Sequence, residues 1–143
     1  MRFSFAFIFV LFIQNILFSQ ITVNNLFSDH MVLQRGKMIP INGTSKAKTK
    51  IFIDFNSKTY STKSDKSGNW SLIIDSQNEG GPFEMKIYDK KSSIIIRDIL
   101  VGDVWIAGGQ SNMEWFVEGS NNSETEIANA NYPEIRILDI NMK

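Results

Sequence analysis

Gly108-Gly109-Gln110-Ser111-Asn112 closes the apolar run Val101–Ala107 and sets a hydroxyl between two amide side chains, directly after two glycines. A serine hydroxyl attacks an acyl carbon usefully when it is exposed at a strand end, when backbone N–H groups meet the developing oxyanion, and when a base removes its proton. Gly108 and Gly109 leave room for close approach of a substrate, and Ser111 at a strand-to-helix turn would offer its own N–H to the oxyanion. Two familiar glycine turns are missing. The elbow G-x-S-x-G fails because Met113 occupies the second glycine's position, and no G-x-x-x-x-G-K-[ST] phosphate loop occurs. By residue types alone, the turn suits an ordinary loop as well as an active site.

Other chemistry-bearing residues divide between function and packing. Trp105 and Trp115 flank the turn; Trp105 is expected in the core, and Trp115 stays open between packing and stacking on a sugar ring. Glu114 and Glu118 are expected to face water near a turn or helix start, where they favour the dipole. His30 is the one histidine, and a single imidazole makes no metal site, so a turn position is expected for it. Asp65, Ser67 and Asn69 form an oxygen-rich set, but the glycine and bidentate glutamate of an EF-hand are out of register, so the segment reads as a hairpin turn. With no cysteines, thiol nucleophiles and thiolate-bound metals are excluded, and no cofactor or metal is expected.

The elements that position these residues fall into two textures. From Ile21 to about Leu100, short β-rich runs alternate with turn chemistry: strands near Met31–Leu33, Ile39–Gly43, Lys50–Phe55, Lys58–Lys63, Trp70–Asp75, Phe83–Tyr88 and Ser93–Leu100. Ile51, Ile53 and Phe55 would share one face, Asn56-Ser57 would close a two-residue hairpin, and Gly68 would take a positive φ. The spacing predicts a small antiparallel sandwich over 21–100. At Val101 alternation ceases, as expected of a strand buried on both faces of a parallel sheet. Ser123 as N-cap with Glu126 three residues on predicts a short helix, Asn131-Tyr132-Pro133 stops it, and Glu134–Ile140 returns to strand. Strand, turn, helix and strand open an α/β domain over 101–143.

Composition narrows the partners. The chain has 143 residues with 15 Lys plus Arg against 15 Asp plus Glu, so no charge excess draws it to nucleic acid or an acidic membrane surface. Residues 1–19 place one positive charge ahead of an aromatic and aliphatic run and end on small Ser19, the layout of a cleaved signal peptide. Gln14 and Asn15 interrupt that run short of a membrane span. An exported product, periplasmic or extracellular, with no membrane association after cleavage, is expected.

The block Gly109-Gln110-Ser111-Asn112-Met113-Glu114-Trp115 resembles the nucleophile block of SGNH-type esterases, and specifically the sialate O-acetylesterase family of carbohydrate esterases. The stretches Leu26–Arg35, Asp65–Trp70, Gly80–Phe83 and Asp98–Trp105 are also similar to that family's lead-in. The resemblance implies a β-sandwich followed by the start of a flavodoxin-like α/β (SGNH hydrolase) domain, acting on O-acetylated sialic acid or another acetylated carbohydrate. It implies Ser111 as nucleophile, its N–H in the oxyanion hole, and Gly109, Gln110 and Asn112 as supports of the turn. The family commonly has Ser or another small residue where Gly108 stands, a change that only shrinks the side chain. It carries its histidine in a downstream Asp-x-x-His block that these 143 residues lack, so an N-terminal portion, inactive by itself, is expected. The alternative is a non-catalytic carbohydrate-binding or interaction sandwich.

Overall fold

The computed structural model describes residues 20–109, 111 and 115–139. The expected leader, 1–19, lies outside them, as do Gln110, Asn112, Met113, Glu114 and residues 140–143.

Among the described residues eight strands form: β1 (Thr22–Val23), β2 (Val32–Gln34), β3 (Ile39–Thr44), β4 (Lys50–Phe55), β5 (Lys58–Lys63), β6 (Asn69–Ile74), β7 (Gly80–Tyr88) and β8 (Ser93–Gly102). They make a three-stranded sheet, β1-β3-β6, and a five-stranded sheet, β2-β8-β7-β4-β5. Alternation does the positioning. Ile51, Ile53 and Phe55 of β4 point inward and are buried against Ile41 of β3, Trp70 and Ile74 of β6, and Met85 and Ile87 of β7, all in one apolar core. Each such side chain contributes roughly 1.5–3 kcal/mol by leaving water.

Turn chemistry closes the frame. Phe55 pairs with Lys58, and Asn56 and Ser57 between them hold φ of 45° and 62°, the left-handed pair that a tight hairpin needs to match strand twist. Gly68 has φ +90°, and a β-carbon there would lie 2.4 Å from the Ser45 carbonyl oxygen. The Asp65 carboxylate accepts the N–H groups of Ser67 at 2.7 Å and Asn69 at 2.9 Å, which makes the oxygen-rich loop a self-bonded turn.

Several expectations change. Strand β1 carries no sequence signal, being two residues long, and β2 starts one residue later than read. Strand β2 pairs with β8 in parallel, Val32 opposite Leu100 and Gln34 opposite Gly102, so the sandwich is not wholly antiparallel. Strand β8 absorbs Val101 and Gly102, and no strand continues through Ala107. The last ladder partners are Gly80 opposite Val101 and Gln34 opposite Gly102; past them, among the described residues, no ladder pairing continues. Likewise 135–139 form no strand. Among the described residues after Gly102, the regular elements are a 3-10 helix, Val117–Gly119, and α1, Ser123–Asn129. The cap of α1 is Asn122, left-handed at φ 58°, with no side-chain cap bond. Ser123 is therefore the first helical residue and not the N-cap. An α/β layer is not formed by these residues.

Candidate active site

Strand β8 delivers the chain toward Ser111, and the end of β2 holds its exit. The Asp103 carboxylate accepts two bonds from the Arg35 guanidinium, from Nε at 2.9 Å and Nη2 at 3.1 Å. The Val104 N–H donates to Gln34 Oε1 at 2.9 Å. The Asp103 bond first, then the Asp103 charge and the Glu79 charge, raise the Arg35 pKa above its ordinary value, so this fork stays cationic across the accessible range.

Beyond that anchor the backbone is irregular and exposed through Gly109. Trp105 is 86% exposed and Ile106 99%. The core position expected for Trp105 is thus corrected: with no strand beside 103–107, no second face covers the ring. Gly109 and Ser111 are exposed, and a β-carbon on Gly108 would meet nothing within 4 Å. Trp115 is 71% exposed, and Glu118 is exposed within the 3-10 helix. Gln110, Asn112 and Glu114 lie outside the described residues.

His30 occupies a turn, with φ 66°, and its Nδ1 lies 2.5 Å from Asp98 Oδ2. Asp98 is itself left-handed, φ 55°. It stands in a bulge of β8: Ile96 pairs with Met85 and Ile99 with Phe83, so Arg97 and Asp98 together oppose Glu84. A bulge re-aims side chains out of the ladder's alternation. The hydrogen bond from His30, then that from Arg136, hold the Asp98 carboxyl below its ordinary pKa, against the effect of desolvation.

These polar pairings are what sequence reading missed. Asp29 Oδ1 accepts the Arg97 N–H at 2.7 Å; Asp29–Arg97, His30–Asp98 and Arg35–Asp103 are all 68 residues apart. The signal was there: the blocks Leu26–Arg35 and Asp98–Trp105 place His30 with Asp98 and Arg35 with Asp103 at one fixed offset, the offset of the parallel β2–β8 register. Among the described residues no group of three or more His, Asp or Glu is placed to hold a metal, and no helix is long and apolar enough to cross a membrane.

No family model matches the chain. The human sialate O-acetylesterase is 37% identical over 79 residues, 52% of this chain and 15% of that protein. The mouse sialate O-acetylesterase is 29% identical over 126 residues, 80% of this chain and 23% of that protein. A crystal structure of a carbohydrate acetylesterase from Xanthomonas citri superposes with a TM-score of 0.73 at 34% identity, covering 79% of this chain and 26% of that one. The chain therefore spans between 15% and 23% of the length of these curated relatives.

Proposed function

We propose that this chain, similar to the N-terminal portion of sialate O-acetylesterases and to a carbohydrate acetylesterase, supplies the serine nucleophile of an exported carbohydrate esterase of that family. The substrate is an O-acetylated sialic acid or a related acetylated sugar. Ser111 Oγ bonds to the acetyl carbon, the ester C–O bond to the sugar breaks, and the hydroxyl proton passes through a base to the departing sugar oxygen. Water then releases acetate and frees the serine. The Ser111 N–H faces the oxyanion, and Gly109, Gln110 and Asn112 support the turn. The signal layout of residues 1–19 supports export.

The observation that carries this reading is the likeness to acetylesterases over most of the chain, and the exposed Ser111 in the block that resembles the family's nucleophile block supports it. In the proposal its base lies outside these 143 residues, because the resemblance implies a histidine in a downstream Asp-x-x-His block, while the one histidine here stands in the turn before β2. The protein carrying the downstream residues is expected to take a fluorophosphonate label on Ser111 and to hydrolyse an activated acetyl ester. Ser111→Ala should remove the label and lower kcat by about 10⁴-fold or more. Labelling and turnover unchanged in Ser111→Ala would end the proposal. The 143-residue chain alone is expected to show little turnover; hydrolysis at the longer protein's rate, abolished by Ser111→Ala, would place the base within it.

One observation favours the binding-module reading. A groove of about 600 Å³ between the three-stranded sheet and the end of β5 is lined by Asn24, Asn42, Thr44 and Asn69 together with the charged Lys63 and Asp65, groups able to bond sugar hydroxyls. Sugar affinity that survives Ser111→Ala would support it.

A further inference from the structure

We propose that Arg136, Asp98 and His30 form a latch that docks the segment 103–139, which bears Ser111, onto the β2–β8 edge of the sandwich. Resting on the esterase reading above, this makes Arg136 and Asp98 positioning residues for that serine; the docking itself stands without that reading.

Arg136 has only 18% of its side chain exposed, and a guanidinium so far removed from water needs compensating acceptors. It finds three. Nη2 donates to Asp98 Oδ1 at 2.8 Å, and Nη1 donates to the Asp98 carbonyl oxygen and reaches the Met31 carbonyl oxygen at 3.5 Å. Among the described residues, Arg136 supplies the hydrogen bonds that run from 105–139 back to the sandwich. The acceptors come from both strands of the edge, because Met31 immediately precedes β2 and Asp98 stands in the bulge of β8.

The receiving side is built for this contact. His30 and Asp98 both hold left-handed backbones, and such outliers persist where surrounding structure fixes them and gather at working sites. The bulge turns the Asp98 carboxylate so that one oxygen meets His30 and the other Arg136. Asp29 takes the Arg97 N–H and the His30 N–H bonds the Arg97 carbonyl oxygen, bonds that tie the turn to the bulge without involving Arg136. Together with Arg35–Asp103 at the opposite end of the β2–β8 pair, the latch ties both the departure and the return of the serine-bearing excursion to one edge. A loose supporting frame is the usual way a positioned nucleophile loses rate.

Hydrogen exchange read by mass spectrometry on the 143-residue chain tests the docking. Arg136→Ala and Asp98→Asn are each expected to speed exchange in 103–139 by about tenfold or more while β4 stays protected. The double variant should do no more than Arg136→Ala alone, because removing the guanidinium already removes its bond to the Asp98 side chain along with the two to backbone carbonyls. Arg136→Lys should restore protection in part, since ammonium lacks the guanidinium fork. Exchange in 103–139 equal to the wild type, or fully additive effects, would overturn the latch. Loss of β4 protection in both single variants would overturn it too, by assigning these residues to the sandwich alone.

Acid gives an independent readout. The groups facing Asp98 are His30 from the turn and Arg136 from the downstream segment; neighbouring Arg97 extends to Glu84 at 3.5 Å and Asp29 holds the Arg97 backbone. Because the folded carboxyl titrates below its ordinary value, the latch should hold at neutral pH and open only as pH falls below about 4. Asp98→Asn should erase that transition. In the longer protein, Arg136→Ala should lower kcat with little change in KM. If Ser111→Ala leaves turnover intact while Arg136→Ala still frees 103–139, the esterase reading fails and the latch survives.

Discussion

Fourteen apolar side chains between Ile21 and Val101 are buried in one core, whereas from Asp103 to Asp139 no described residue is buried. Composition does not separate the two regions. The second carries Trp105, Ile106, Trp115, Phe116, Ile135, Ile137 and Leu138, every one of them exposed. What separates them is pairing. An apolar run becomes a buried strand only where a neighbouring strand takes its backbone bonds and a facing sheet covers its side chains. Strand β8 has both as far as Gly102, and the chain past it has neither among the described residues. Helix α1, seven residues long with no buried residue, is likewise too short to be stable on propensity alone.

The strongest way to break this contrast is to remove equal side chains from each region. Ile53 is wholly buried and pairs with Ile87 across β4 and β7. Ile53→Ala should cost about 2–5 kcal/mol in denaturant unfolding, through lost transfer energy and the cavity left behind. Ile106→Ala, at a position 99% exposed, should change stability by no more than about 0.5 kcal/mol. A comparable loss at Ile106 would mean that its surroundings in solution bury it.

The same contrast explains what was legible. Strand β4 and its hairpin were readable because alternation and turn residues are local: Ile51, Ile53 and Phe55 mark a face, and Asn56-Ser57 tolerates left-handed φ. Likewise α1 was found from the capping-box spacing of Ser123 and Glu126, but its cap was misplaced by one residue, since Asn122 and Ser123 both suit a cap and the left-handed backbone at 122 decided between them. Strand β1 was not readable, because its pairing with β3 rests on a tertiary contact. Neither was the exposure of Trp105: a continuous apolar run states what a segment would bury, and its partner is a non-local fact. Of the candidate site, the serine turn was visible as residue types, while the Arg35–Asp103 and His30–Asp98–Arg136 pairings needed the β2–β8 register to be known.

Gly43 sharpens the comparison within the packed region, where space and not exposure is limiting. A β-carbon there would lie 2.0 Å from the Thr22 carbonyl oxygen and 2.7 Å from the Trp70 ring. Neither neighbour can yield easily, since one is backbone of β1 and the other is a buried indole. Gly43→Ala should cost about 1–3 kcal/mol by overpacking and should release β1 first, seen as faster amide exchange at residues 22–24. Gly108→Ala, with nothing within 4 Å of the new carbon, should be close to neutral in the same assay. Two alanines replacing two glycines would then report opposite environments.

The smallest effect lies at the turn joining β7 to β8, where a polar group serves the packed region from its rim. The Asp89 carboxylate accepts the N–H groups of Lys91 and Ser92, each at 2.7 Å, and the Ser92 hydroxyl at 3.2 Å. Partial burial pushes its pKa up, but these bonds outweigh burial and leave the carboxyl below its ordinary value. A carboxyl depressed in the folded state stabilises above its unfolded pKa of about 3.9 and loses that contribution as pH falls through the folded value. Asp89→Asn should therefore cost about 1 kcal/mol at pH 7 and progressively less as pH drops below 4, so that the two unfolding curves converge in acid. Parallel curves would show that the turn is held by its backbone conformation and not by the charge. That outcome would remove the electrostatic part of the contrast while leaving its packing part untouched, because Ile53 and Gly43 report on space and Asp89 on a bond that protons can break.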